Sequence, residues 1–91
     1  MSIGSFAGKD RQPSSIRRLT EYRTRWRVLV QTWPDQNGFH GRFVFEPDGF
    51  HPEAETREGP PLFSGTSRED VLRSAHEVPE ARLRALLHSL G

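Results

Sequence analysis

The sequence predicts an α+β fold, a three-stranded antiparallel sheet with C-terminal helices packed on one face, in the order β-β-β-α-α. Three observations carry that expectation. Two runs rich in aromatic and β-branched residues flank the turn Pro34-Asp35-Gln36-Asn37-Gly38, the pattern of a hairpin. Gly65-Thr66-Ser67 opens a stretch with helical spacing. Leu83, Leu86, Leu87 and Leu90 then continue at intervals of three and four. A chain of 91 residues holds one core, so 15–91 reads as a single small domain after a flexible N-terminal tail over 1–14.

Each element has its own local reason. Ile16, Leu19, Tyr22 and Trp26 recur every three or four residues, which suits a short basic N-terminal helix over 15–23 or, alternatively, an extended arm. Residues 25–33 read as the first strand. Alternation puts Trp26, Val28 and Val30 on one side, and Arg25, Arg27, Leu29, Gln31 and Trp33 on the other. In the second strand, 38–46, Phe39, Phe43 and Phe45 share a face with Gly41, opposite His40, Arg42, Val44 and Glu46. A third strand falls within 55–65 and ends in Leu62-Phe63-Ser64. Pro60 and Pro61 cannot donate to a ladder, so it starts late or lies at an edge. Ser67 with Asp70, or Thr66 with Glu69, has the spacing of a capping box. Val71, Leu72, Ala75 and Val78 form the first helical stripe. Pro79 interrupts it and divides the region into helices 67–77 and 79–90.

Charge is uneven along this frame. Residues 1–30 carry seven bases against two acids, a balance of +5, and residues 31–91 carry six against ten, a balance of −4. Such halves attract each other within a fold or between subunits, and the basic half suits an anion such as RNA. Twelve of the thirteen bases are arginine, a bias that a GC-rich genome produces without any functional cause.

Several function classes are excluded or unsupported. Apolar runs such as Val28-Leu29-Val30 and Phe43-Val44-Phe45 are too short for a membrane span, and no apolar segment follows the amino terminus. A cytoplasmic chain with no membrane partner is therefore expected. The absence of cysteine removes disulfides, thiolate metal sites and cysteine nucleophiles. His40, His51, His76 and His88 are not at the spacing of metal-ligand pairs. No nucleophile elbow, phosphate loop or paired helical carboxylates appears. The expectation is a non-enzymatic chain with no cofactor and no metal.

Gly65-Thr66-Ser67-Arg68-Glu69-Asp70-Val71-Leu72, followed by Ala75-His76-Glu77, resembles the helix start of the small HicB-like antitoxin fold, and Arg25 to Glu77 follows its element order. The segment 47–61 stands where that fold has a short turn. The resemblance implies half of a double-stranded-RNA-binding-like fold that pairs through strand edges. It also implies a non-catalytic partner of a small RNA-cutting toxin, or an orphan relative of such partners.

Two functional expectations follow. The leading one is an interaction domain that forms a homodimer or binds a protein partner through an edge near Leu62 and Phe63. The alternative is nucleic-acid binding through Arg25, Arg27 and Arg42 on the sheet together with Arg17, Arg18 and Arg23 of the arm.

Overall fold

The computed structural model describes residues 12–21, 23–49 and 54–90. It is an antiparallel α+β layer pair with more strands than expected. In chain order the elements are β1 (Gln12–Glu21), β2 (Thr24–Asp35), β3 (Gly38–Pro47), β4 (Arg57–Glu58), β5 (Phe63–Gly65), α1 (Arg68–His76) and α2 (Glu80–Leu90). The sheet runs β1-β2-β3-β4, with β5 also paired to β3.

The N-terminal helix expected over 15–23 does not form among the described residues, and the extended alternative holds. Residues 12–21 are β1, antiparallel to β2, which takes in residues 12–14 of the expected tail, while Tyr22 lies outside the described residues. The helical spacing has a different origin. The register slips between Ser15 and Arg17, so Ile16 is the extra residue of a bulge. Before the slip Ser14 lies opposite Val30, and after it Arg17 and Leu19 lie opposite Val28 and Trp26. Ile16 packs against the core and Leu19 is part of it, so a spacing of three arises in a strand. Residues 1–11 lie outside the described residues, as does the connection 50–53 with His51.

The β2–β3 hairpin follows the expected alternation. Asp35 pairs with Gly38 around the two-residue turn Gln36-Asn37, and the Asn37 N–H donates to Asp35 Oδ1 at 2.8 Å. Trp26, Val28, Val30, Phe43 and Phe45 are buried together with Leu19 beneath Val71, Ala75, Leu83 and Leu87 of the helices. Gly41 is required at the centre of this face, because a Cβ there would collide with Val71 Cγ1. The opposite face is not wholly open. Leu29 and Val44 lie opposite each other and are buried, ringed by the long side chains of Arg27, Gln31, Arg42 and Glu46.

The single third strand expected within 55–65 is broken in two. Val44 pairs with Glu58 and Gly41 with Phe63, so four residues, 59–62, oppose two on β3. The Gly59 N–H donates to the Phe43 carbonyl at 2.9 Å and the Leu62 N–H to the Gly41 carbonyl at 3.0 Å. Pro60 and Pro61, which have no N–H, occupy the bulge between those two bonds.

Both helices begin near the expected residues. Ser67 caps α1 through its Oγ, which accepts the Asp70 N–H at 3.2 Å, so Ser67 with Asp70 is the pair that forms. The Pro79 carbonyl accepts from the Leu83 N–H at 3.1 Å, which makes Pro79 the N-cap of α2 rather than its first helical residue. Arginines tie the helices to the sheet. Arg17 donates to the His76 carbonyl at 2.7 Å, at the negative end of α1. Arg84 donates to the Thr20 carbonyl at 3.2 Å, and Arg57 to the Leu87 carbonyl at 3.2 Å while lying 4.9 Å from the Trp26 ring centroid. Arg68 serves buried Thr32 at 3.2 Å and Ser14 at 2.5 Å.

Candidate functional site

A groove lies between the β4–β5 bulge and α2. Its volume is about 470 Å³, and it is lined by Phe43, Leu62, Phe63, Val78, Leu83 and Leu86, with Arg82 and Ala85 also contributing. Its origin is local. The two extra residues around Pro60-Pro61 carry the chain out of the ladder, so the strand that should close this edge of the core leaves a gap beside α2. Phe63 returns to the core face, edge-on to Phe43 with ring centroids 5.1 Å apart. Leu62 does not return. It is 54% exposed, the exposed large hydrophobic among the described residues. Of the two residues expected at a protein interface, Leu62 therefore projects outward and Phe63 is half-buried in the groove wall.

The expected backbone edge is blunted, however. Pro60 and Pro61 break the ladder on this side. On the far side, Pro13 lacks a donor and the Ile16 bulge bends β1. Strand addition needs an open run of donors and acceptors; 59–62 offers none, and on β1 the run is interrupted at Ile16. What remains available at 59–63 is side-chain surface.

The six arginines expected to bind nucleic acid do not form one patch. Arg17 faces inward, under the end of α1. Arg18 pairs with Asp48 at 3.2 Å, and Arg27 lies 3.8 Å from Glu46 and 4.0 Å from Asp48. Arg42 donates to Gln31 Oε1 at 2.8 Å and pairs with Glu58 at 3.2 Å. Arg23 and Arg25 are exposed and have no side-chain partner among the described residues. Acids supplied by β3, its following turn and β4 thus offset the basic rows of β1 and β2. Trp33, which alternation places on the arginine-bearing side, is half-buried there, its ring centroid 6.1 Å from that of His40.

A second, shallower depression of about 300 Å³ is lined by Asp35, Asn37, Phe39, His40, Ser64, Gly65 and Thr66. His40 Nε2 hydrogen-bonds Asp35 Oδ2. Ser64 stands opposite His40 in the register. The Asn37 N–H and then His40 hold the Asp35 carboxyl below its usual range. Folding thus favours the ionised form. The stabilisation by Asp35 is present above the usual carboxylate range and is lost as pH falls through the lowered value. A carbon-detected NMR titration should therefore find the Asp35 midpoint below those of exposed carboxylates, and Asp35→Asn should remove that acid-range dependence from the unfolding curve. An Asp35 midpoint within the usual range would contradict the turn geometry.

Among the described residues no group of three His, Cys, Asp or Glu is placed to hold a metal ion, and no helix is long and apolar enough to cross a membrane. Val78, Arg82 and Leu86 were missed as site residues because a helical leucine stripe reads as core. Leu83 and Leu87 are core, whereas Leu86, one position off their line, faces the groove. Compared with known proteins, the chain matches no family model, no curated protein and no solved structure.

Proposed function

We propose that the chain is a non-enzymatic protein-interaction domain whose binding surface is the groove between the β4–β5 bulge and α2. The observation that carries this reading is Leu62, 54% exposed beside a groove walled by Phe43, Phe63, Val78 and Leu86. An exposed leucine alone means little, but beside a concave apolar wall it offers both an anchor and a receptor for a partner. Three supporting points come from elsewhere in the molecule. The outward arginines Arg18, Arg27 and Arg42 are engaged by acids, which lowers the field available to an RNA backbone. His40 is engaged by Asp35 as part of the β2–β3 hairpin. The likeness to HicB-like domains implies a protein partner, and with both sheet edges blunted the groove is the place where such a partner would be held.

Peptide-display selection on the immobilised full chain tests the reading. Wild type should enrich peptides with a bulky apolar anchor, and Leu62→Asp should retain none of them while keeping the wild-type circular dichroism. Equal retention by the variant would remove the groove as the binding surface.

Nucleic-acid binding is the second reading. It draws on exposed Arg25, on the turn residue Arg23 and on Trp33 beside His40. Stacking platforms combine such rings with cations.

A further inference from the structure

We infer that the occupant of this groove is a second copy of the same chain, in a two-fold dimer that exchanges Leu62 side chains. The inference rests on the interaction reading above and adds the partner. An isologous interface requires that one face carry both halves of every contact. The groove face does so twice. Leu62 projects at its rim, 54% exposed, beside a hollow of about 470 Å³ that accepts a branched apolar side chain. Arg82 lines the same hollow, and Glu77 immediately precedes Val78 in its wall. Both Glu77 and Arg82 are exposed, and neither has a side-chain partner among the described residues.

Nearby charges are already satisfied within the chain. Arg84 pairs with Glu80 at 2.9 Å, Arg42 with Glu58 at 3.2 Å and Arg73 with Asp70 at 3.4 Å. Arg82, which lines the hollow, and Glu77, which adjoins its wall residue Val78, carry opposite charges and are self-complementary across a two-fold axis, with Arg82 of each copy meeting Glu77 of the other. Strand-to-strand pairing is the usual competing route to a dimer. It is obstructed here by Pro13 and the Ile16 bulge on β1 and by Pro60-Pro61 on the other edge.

Sedimentation equilibrium of the full chain from about 10 µM to about 1 mM tests this, a range chosen because so small a face supports a weak dimer. Wild type should rise from 10.4 kDa toward twice that mass. Leu62→Asp should stay monomeric. Arg82→Glu and Glu77→Arg should each weaken the dimer by about tenfold or more, since each places two like-charge pairs across the axis. An equimolar mixture of these two variants should associate again, because every cross-axis pair then becomes attractive. A folding defect cannot produce that rescue.

Wild type that stays at 10.4 kDa throughout overturns the inference. So does a dimer indifferent to Leu62→Asp, or one that the mixed charge variants do not rescue. A monomeric wild type that still selects peptides lost in Leu62→Asp leaves the groove reading standing without the second copy. A monomer that selects none removes both.

Discussion

Replacing Phe43 with alanine is expected to destabilise the chain by about 3–5 kcal/mol. Phe43 is 1% exposed and lies at the meeting point of three features. Its ring is edge-on to Phe63 at 5.1 Å and tilted against Phe45 at 6.1 Å, and one side of it forms the groove wall. Truncation removes the packing partner of Phe63, the residue that brings the chain back to the core after the proline bulge. The cavity would merge with the groove, so solvent could reach Val71 and Leu83. For a domain of this size, with a total stability of roughly 5–14 kcal/mol, the loss is a large share. Urea unfolding followed by tryptophan fluorescence should show a lower midpoint with an unchanged slope. A loss below about 1 kcal/mol would mean that the site collapses around alanine and that Phe43 does not organise this edge.

Gly38→Ala is the second large effect, expected at about 2–5 kcal/mol from backbone strain and steric overlap together. Gly38 follows the hairpin turn at φ 141°, where L side chains rarely go. An added Cβ would also run into the carbonyl oxygen of Gly65, which belongs to the backbone of β5 and cannot swing aside. Relief would have to come from moving β5 off β3 or from opening the turn that holds Asp35, Asn37 and His40. Gly49→Ala is the control. Its φ of 101° imposes similar strain, but among the described residues nothing lies within 4 Å of the added atom. It should cost only about 1–2 kcal/mol. Equal losses in the two variants, measured by thermal or urea unfolding, would show that backbone strain alone sets the cost and that the close approach of β5 has no effect.

The legible parts of this fold were those in which one period governs one element. Two runs of β-branched and aromatic residues, Trp26 to Val30 and Phe43 to Phe45, joined across the turn segment 34–38, have one good solution, a hairpin with these faces. The Ser67 cap and the break at Pro79 were legible because each acts through its own backbone neighbours. The misread parts were those in which a strand departs from its period. The Ile16 bulge gave β1 a spacing of three, and the bulge around Pro60-Pro61 cut one strand into β4 and β5. In both segments the register against the neighbouring strand decides the structure, and that register is not a local property.

The candidate site was illegible for a related reason. Arg18, Arg27 and Arg42 look like a basic stripe until Asp48, Glu46 and Glu58 arrive beside them from later in the chain. Leu86 looks like core until the proline bulge leaves its neighbour strand short. Leu62 and Phe63 gave a usable signal, two apolar residues directly after two prolines at a strand edge.

On the proposed reading the groove, and not the arginine-bearing sheet face, is the functional surface. Amide-shift mapping of the full 15N-labelled chain tests it most directly, with a display-selected peptide added in one series and single-stranded RNA at low salt in another. The peptide should move the amides of Gly59, Leu62, Phe63, Val78, Arg82 and Leu86, and RNA should leave the spectrum unchanged. A peptide response outside the groove, together with RNA-dependent shifts at Arg25, Arg27, Trp33 and His40, would contradict the account and place function on the outer face of the sheet.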